Sequence, residues 1–439
     1  MEERNEGKMG HAQMKVLWFY GGTLLPAASR ALGDPIGVSC GWLPSMLDAL
    51  LAADGDIKIC VVGLDARNCD FEDGRVRYAT FGQAGRFTYK KIPGELQGRA
   101  SRIIKDFCPD VIHIQGTEYF YGCFDEAVYG GVPTVVSLQG VISGCHPYYN
   151  GGLSPNEVRC YDLTPRGLLK RHSVFGVQTK WRETRAAQEV RVLKAHRNFI
   201  GRTEWDRAWV EFYNPAARYF TVNENLRAPF YAERRNPANV KRHSIYCGAA
   251  AHYPLKGLHW LMRAVASLKD EFPDIQLRIA AAERYFAPNR SIMERLKGQG
   301  YHAYLRSLAK ELAIEDNIVA LPTLPAEAVA EELKGAELFV LPSMCENSPN
   351  SLGEAMIVGT PSIATFVGGV PSILKDGKEG CLVPSGDPAA LADAIRRWFR
   401  HPDEAEACVA NARATAIARH NVGVNARATL NVYREIARK

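Results

Sequence analysis

The sequence predicts an α/β protein made of two Rossmann-like domains whose parallel sheets face a central cleft. Two observations support this fold class. Short apolar runs alternate with amphipathic segments from residue 15 onward, which is typical of parallel sheets covered by helices. The alternation restarts after a polar, basic segment at 223–243, and a chain of 439 residues has room for two or three domains.

The composition is that of a globular protein, with 46% hydrophobic and 23% charged residues. No apolar run approaches the roughly eighteen residues of a membrane span. The eleven cysteines include no Cys-x-x-Cys pair, which favours reduced thiols over a disulfide framework or a zinc site. We therefore expect a cytoplasmic protein, either free or peripheral at the inner face of the membrane.

The first half of the chain predicts one sheet with its helices, in a domain that spans 14–222. Each expected strand is a short apolar run bounded by turn-forming residues. The expected strands are Lys15–Tyr20, Ile57–Leu64, Val111–Ile114, Val132–Leu138 and Asn198–Ile200, and the expected helices are Trp42–Ala53 and Ser101–Phe107.

The second half predicts another sheet, in a domain that spans 244–420 and follows the connection at 223–243. A last segment, 421–439, is expected to be a C-terminal helix, for which a return to the first domain is one arrangement. The expected strands are Ser244–Cys247, Gln276–Ala281, Ile318–Leu321, Glu337–Leu341 and Ser362–Thr365, and the expected helices are Gly257–Lys269 and Ala389–Arg400.

Two carboxylates, Glu346 and Glu354, flank a predicted helix start that follows a buried strand. Ser348 is expected at the N-cap and Pro349 at the first helical position. A helix N-terminus attracts anions through its free amides and its dipole. A phosphate held there would leave the two carboxylates for uncharged hydroxyls, as in a sugar joined to a nucleotide. The free amides are expected to be those of Asn350, Ser351 and Leu352.

The string Glu-Asn-Ser-Pro-Asn-Ser-Leu-Gly-Glu-Ala-Met, at 346–356, resembles the glutamate-x7-glutamate signature of the retaining glycosyltransferases of family 4. These enzymes have the GT-B fold. Two further segments, Arg202–Asp206 and Asn223–Arg227, resemble the text of a bacterial polysaccharide-type subset. The resemblance implies that Glu354 holds the ribose and Glu346 contacts the sugar. It also implies that the positive groups of the site replace a metal, with no cofactor besides a nucleotide-sugar donor, for which a UDP-sugar is the first candidate.

Lys256 and Gly257 lie between a predicted strand and a predicted helix, where a lysine can reach a diphosphate. The setting resembles the Gly-Arg-x4-Lys-Gly segment of the family, and Lys256 matches its phosphate-binding lysine. The arginine of that segment is missing, because the chain reads Cys-Gly-Ala-Ala at 247–250. Another cation has to substitute, or stabilisation of the leaving group is reduced.

The first half carries five further candidates for the cleft or the acceptor side. Gly41 resembles a glycine loop that approaches the donor or acceptor, and Gln139 stands where many family members have a histidine. Glu118 follows a predicted strand end. For His113, a role behind the site and a plain core position are both open. Arg202, near the domain connection, could supply the missing cation or serve the domain interface.

The stretch from Glu157 to Arg197 holds ten Lys or Arg against four acids, interleaved with aromatic residues. This pattern suits an anionic membrane surface or a lipid-diphosphate acceptor, and it equally suits a solvated helical face. No nucleic-acid-binding motif accompanies the charge. The partners we expect are therefore a nucleotide-sugar and a glycan or lipid-linked acceptor, with peripheral contact to an anionic membrane as an open alternative.

These features together predict a retaining, metal-independent glycosyltransferase of the hexosyltransferase type, acting in cell-surface glycan synthesis. Two alternatives from other classes stay open. One is a non-catalytic protein that binds a nucleotide-sugar, and the other is a different GT-B enzyme, such as a sugar phosphorylase or an epimerase. A dehydrogenase is not indicated, because no G-x-G-x-x-G follows a predicted strand.

Overall fold

The computed structural model of the protein describes residues 13–22, 24–35, 41–82, 87, 89–162, 173–248, 250–286 and 300–438. Three positions of the basic stretch, Arg166, Lys170 and Arg171, lie outside this part of the chain. Ala249, in the segment that lacks the family's arginine, also lies outside it. The described residues form two parallel sheets, each covered by helices, which confirms the predicted pair of Rossmann-like domains.

The first sheet has eight strands in the order β3-β4-β2-β1-β5-β6-β7-β8. Neighbouring strands are parallel except for the β3–β4 hairpin at one edge. Nearly every residue of the central strands is buried, because helices cover both faces. The strands are β1 Lys15–Tyr20, β2 Lys58–Gly63, β3 Asp70–Asp73, β4 Val76–Thr80, β5 Val111–Gln115, β6 Thr134–Ser137, β7 Asn198–Gly201 and β8 Arg218–Thr221.

The helices of this domain start from different local signals. Thr203 caps one of them through a capping box with Asp206, which fixes the loop after β7. The α-helices are Pro26–Ala31, Trp42–Ala53, Gly94–Phe107, Glu126–Tyr129, Ile142–Cys145, Pro155–Asp162, Val174–Trp181, Ala187–Ala195 and Glu204–Tyr213, and a π-helical turn, Arg182–Ala186, joins two of them.

The second sheet has six parallel strands in the order β11-β10-β9-β12-β13-β14. Its strands are β9 Lys241–Cys247, β10 Gln276–Ile279, β11 Ile318–Ala320, β12 Ala336–Leu341, β13 Ser362–Thr365 and β14 Cys381–Val383. The α-helices of the connection and of this half are Ala228–Ala232, Leu258–Leu268, Glu283–Phe286, Gly300–Glu311, Ala326–Gly335, Asn350–Val358, Pro388–Arg400, Pro402–Arg419 and Val422–Ala437.

The last helix, Val422–Ala437, packs on the first domain rather than on the second. The Tyr433 hydroxyl oxygen lies 3.0 Å from Trp18 Nε1 and 2.6 Å from His113 Nδ1, inside the first core. Arg434 also pairs with Asp54 at 2.8 Å. The chain therefore crosses between the domains twice, once after β8 and once after the helix Pro402–Arg419.

The β3–β4 hairpin, β8 and β14 are not among the expected strands, and β9 is longer than expected. The β3–β4 hairpin was missed because its alternating charged residues hide the strand pattern, although Asp73-Gly74 is a turn signal. β9 starts at Lys241, inside the expected connection, because its polar first residues still pair with β12. In both cases, strand pairing outweighs the local composition.

Candidate active site

The two sheets each have a point where the strand order reverses, and ligands of open α/β sheets bind beyond the carboxyl ends of the strands there. In the second sheet this point lies between β9 and β12. Lys256 follows β9 and Glu346 follows β12. In the first sheet it lies between β1 and β5, and Glu118 follows β5.

Lys256 and Glu346 form an ion pair, with Lys256 Nζ donating to Glu346 Oε1 at 2.6 Å. Ser343 Oγ donates to the same oxygen at 2.8 Å. The Glu346 side chain is 11% exposed and that of Lys256 is 33% exposed, so the pair lines the cleft with the lysine on the open side. Two groups that lie 90 residues apart in the chain therefore act as one unit.

Gly257 explains how the Lys256 loop comes so close to β12. Its φ is +68°, and a Cβ atom there would lie 1.9 Å from the carbonyl oxygen of Pro342. A side chain is therefore excluded both by conformation and by space. The glycine begins the helix Leu258–Leu268 and holds Lys256 against the strand end that carries Glu346.

The charged state of Lys256 is favoured despite its surroundings. Burial lowers the pKa of its ammonium, but the negative charge and hydrogen bond of Glu346 outweigh this effect and raise the pKa above the usual value. Lys256 therefore carries a full positive charge at neutral pH. A bound anion would share that charge with Glu346.

The helix that starts between the two glutamates begins one residue later than predicted. It spans Asn350–Val358, and Pro349 occupies the N-cap position. Ser348 does not cap it, because Ser348 Oγ accepts a hydrogen bond from Arg419 Nη2 at 3.2 Å. The expectation of three free amides is wrong for Leu352, whose amide donates to the Pro349 carbonyl at 3.1 Å.

The amides of Asn350 and Ser351 have no hydrogen-bond acceptor within the described chain. The Asn350 side chain is engaged, since its Nδ2 donates to Glu224 Oε2 at 2.8 Å. Gly248, at the end of β9, lies against Ser351, and a Cβ atom on it would be 3.9 Å from that of Ser351. The N-terminus of this helix thus lies beside the end of β9 with two amides available to an anion.

Glu354 lies inside the first turns of the helix and is paired with Arg227 of the domain connection. Arg227 Nη2 donates to Glu354 Oε1 at 2.9 Å. Burial raises the pKa of the Glu354 carboxyl, and the Arg227 charge counteracts this shift. The pair borders a cavity of about 190 Å³ that spans the two domains and is lined by Gly41, Trp42, Asn225, Leu226, Arg227, Asn350 and Glu354.

The lack of a side chain at Gly41 lets the Arg227 side chain lie directly against the Gly41 backbone. A Cβ atom on Gly41 would lie 2.6 Å from Arg227 Cδ, so the arginine stem runs directly over the glycine. The predicted glycine loop and the predicted Glu354 are thereby brought into one site, joined by Arg227, which was not among the predicted site residues. Its signals in the sequence are the polar connection and the segment Asn223–Arg227 that resembles the bacterial subset.

The Arg202 side chain binds other groups of the protein. Its guanidinium pairs with Glu224 at 2.7 Å and donates to the carbonyl oxygens of Leu138 and Gln139 at 3.1 and 2.5 Å. Only 5% of its side chain is exposed. Arg202 therefore fits the interface role better than the role of a substitute cation, whereas Arg227 lines an open cavity.

Asn347, next to Glu346, ties the second domain to the first. Its Oδ1 accepts from Thr203 Oγ1 at 2.7 Å, and its Nδ2 donates to Asp206 Oδ2 at 3.0 Å and to the Gln139 carbonyl at 3.4 Å. The Gln139 backbone is thus at the interface. Because Asn347 adjoins Glu346 in the chain, relative movement of the domains will move Glu346.

His113 and Glu118 have contrasting surroundings at the end of β5. His113 is buried, bridges Tyr433 and Ser137 at 2.6 Å each, and has its pKa lowered to about 3 by burial. Glu118 is only half-buried and accepts from the Gly140 amide at 3.1 Å. Burial and, to a lesser degree, Glu189 raise the pKa of Glu118 to about 7. His113 therefore lies in the core, and Glu118 lies at the cleft.

A second cavity, of about 690 Å³, lies away from all of these residues. It is formed at the amino ends of β6, β7 and β8, the edge of the first sheet opposite the cleft. No predicted site residue lines it.

Within the described ranges, no group of three or more His, Cys, Asp or Glu is arranged to hold a metal ion. No described helix has both the length and the apolar composition of a membrane span.

Two Rossmann-like domains with binding residues at facing sheet edges define the GT-B class of α/β proteins. The family model described as "Glycosyl transferases group 1" matches residues 232–415, and this match covers the second domain. The residues that form the Lys256–Glu346 pair and Glu354 all fall inside it. This segment is therefore similar to the glycosyl transferases of group 1.

Curated relatives match a smaller part of the chain. A D-inositol 3-phosphate glycosyltransferase of Streptomyces coelicolor is 36% identical over 150 residues, which are 34% of this chain and 31% of that protein. One of Corynebacterium kroppenstedtii is 30% identical over 185 residues, or 42% and 39% of the two chains. The matched part thus spans about a third of the length of these relatives.

Solved structures match along nearly the whole chain. A sucrose-phosphate synthase of Thermosynechococcus elongatus has a TM-score of 0.68 at 18% identity, covering 96% of this chain and 98% of that one. The Anabaena protein HepE, in complex with UDP and glucose, has a TM-score of 0.63 at 14% identity, covering 95% and 99%. These likenesses establish the fold for both domains together.

Proposed function

We propose that this protein is a retaining glycosyltransferase that moves a sugar from a nucleotide-diphosphate-sugar to a sugar or lipid-linked acceptor. The observation that carries the proposal is the Lys256–Glu346 pair at the sheet switch point, beside a helix N-terminus with two available amides. A cation, free amides and a helix dipole in one place suit a diphosphate. The carboxylates on either side suit the hydroxyls of ribose and sugar.

The donor is proposed to bind with its diphosphate between Lys256 and the amides of Asn350 and Ser351. Its ribose would then reach Glu354, which has to exchange Arg227 for ribose hydroxyls. The released guanidinium stays within the same cavity and can turn to the diphosphate. Arg227 is therefore our candidate for the cation that the Cys-Gly-Ala-Ala segment lacks.

The proposed reaction needs no side-chain base on the acceptor. The acceptor oxygen attacks the anomeric carbon from the face that the diphosphate leaves, and the departing phosphate oxygen takes the acceptor's proton. Positive groups held in place stabilise the charge on the leaving group, as a metal ion does in other enzymes. Gln139, which cannot accept a proton as a base, is compatible with this route.

The experiment is thermal unfolding with UDP, GDP, ADP and CMP, followed by product analysis with the responding sugar nucleotide. A ligand at about a hundred times its dissociation constant stabilises by about 2.7 kcal/mol, which is measurable. Retention is read from the anomeric proton coupling of the product, and metal independence from unchanged rates in EDTA. No response to any nucleotide would contradict the proposal. Consumption of inorganic phosphate, or an epimer formed without acceptor, would favour another GT-B enzyme.

The acceptor class is a separate proposal. The curated relatives are named for D-inositol 3-phosphate, so a polyol phosphate belongs in the screen with glycan and lipid-linked acceptors of cell-surface synthesis. Peripheral membrane contact is tested with vesicles that contain anionic lipid. Binding that falls with salt would assign the face around Lys180, Arg182 and Arg185 to the membrane, and no binding would make it a solvated face.

A further inference from the structure

Two cysteines from different domains meet beside the proposed active site. Cys145 ends a short helix of the first domain, and Cys345 immediately precedes Glu346 in the second. Their Sγ atoms lie 3.3 Å apart, and both residues are buried. Together with Leu255 they form a small apolar cluster that crosses the interface, packed against Trp205 and Met344.

We propose that Cys145 and Cys345 are a modification site at which an oxidant forms a reversible disulfide between the two domains. A disulfide places its sulfurs about 2.05 Å apart. From 3.3 Å, the two Sγ atoms have to approach by roughly 1.3 Å. Cys345 Sγ also contacts the Gly144 carbonyl oxygen, at 3.9 Å. The sulfurs of Cys123 and Cys408 contact backbone carbonyl oxygens as well.

The oxidant we assign is hydrogen peroxide. One thiolate attacks the peroxide, giving a sulfenic acid and one water, and the second thiol condenses with it to form the S–S bond and a second water. The two thiols lose two electrons and two protons in total, and the peroxide is reduced to two waters. No further reactant is needed.

The two oxidation steps need different arrangements of the domains. We call the arrangement in this structure, in which Cys145 and Cys345 are in contact, the closed arrangement. In the closed arrangement the pKa of Cys145 is raised by its hydrogen bond with Cys345, by burial and by the nearby charge of Glu346. Since the thiolate is the reactive form, Cys145 resists oxidation in this arrangement. Separation of the domains removes the Cys345 and Glu346 contributions and admits peroxide. The condensation then belongs to the closed form, in which the sulfurs meet.

The bond would fix the segment next to Glu346 to the first domain. Asn347 already makes reversible contacts there with Thr203 and Asp206. A covalent link at the adjacent residue would hold the cleft shut, and products could then leave only after reduction. This consequence for turnover rests on the proposed function, whereas formation of the disulfide does not.

The test treats the full-length protein with hydrogen peroxide, blocks free thiols under denaturing conditions and maps the peptides by mass spectrometry. We expect one cross-linked species that joins the peptides of Cys145 and Cys345, lighter by two hydrogen atoms and restored by dithiothreitol. Recovery of both as separately alkylated peptides, with oxidation confined to the exposed Cys108, would overturn the proposal. This measurement needs no variant and no substrate.

Matched variants separate the two claims. Cys145→Ser should lose the cross-link and the peroxide sensitivity of turnover, while Cys108→Ser should keep both. A cross-link that forms in the wild type without lowering turnover would refute the proposed latching and leave the disulfide standing. Absence of turnover in untreated protein with every nucleotide-sugar would count against the proposed function alone, because the peptide map is read independently.

Discussion

Lys256→Ala offers a quantitative test of the donor site. The ammonium it removes is charged, lies on the open side of the cleft and pairs with Glu346 at 2.6 Å. A hydrogen bond to a charged group contributes about 1.5–3 kcal/mol. Because Glu346 already neutralises part of this charge, we expect the lower half of that range, a loss of about 10- to 50-fold in UDP affinity.

The loss should be specific to the phosphates. Uridine makes no contact with Lys256 in the proposed pose, so its affinity should change by less than about threefold, or under 1 kcal/mol. Isothermal titration calorimetry with UDP, UMP and uridine measures all three. Lys378→Ala is the matched control, since Lys378 is an exposed lysine of the same domain. Equal losses for UDP and uridine would show that Lys256 does not bind the diphosphate.

Three further variants test neighbouring groups. Glu346→Gln should abolish transfer and leave the thermal unfolding midpoint within a few degrees of wild type; retained turnover would remove Glu346 from the mechanism. Arg227→Gln should weaken UDP about tenfold or more by loss of a charged contact; unchanged UDP binding would leave the missing cation unassigned. The pKa of Glu118 is raised from 4.5 to about 7 in the folded protein. Between these two pH values the folded protein keeps a proton on Glu118 that the unfolded chain releases. The contribution of Glu118 to stability is therefore fully present below pH 4.5 and is lost as the pH rises through 7. The free energy of unfolding in urea should therefore be lower at pH 8 than at pH 5, by at most about 3 kcal/mol, and Glu118→Gln should remove this difference. The same pH dependence in the wild type and the variant would refute the assignment.

The sequence predicted most of the strands that build the site, because buried parallel strands appear as apolar runs. β1 and β13 match their expected bounds. Local capping was less predictable. Ser348 satisfies every local criterion for an N-cap, yet Arg419, 71 residues away, takes its hydroxyl.

Pairs between distant residues could not be predicted from local pattern. Arg227 and Glu354 are 127 residues apart, and Cys145 and Cys345 are 200 apart. The local sequence around Glu354 marks it as a site residue but does not indicate its partner, and only the docking of the two domains brings the members of each pair together. The sequence leaves two roles open for Arg202, and its ion pair with Glu224, which follows β8, supports the domain-interface role.

The return of the last helix to the first domain has a consequence for synthesis on the ribosome. Tyr433, which closes the core around Trp18 and His113, is made only after the entire second domain. Until then, the nascent first domain exposes the apolar surface that Leu430, Tyr433 and Ile436 cover. The domain that is translated first is therefore completed last. Its exposed apolar face needs protection from aggregation while more than 200 further residues are translated.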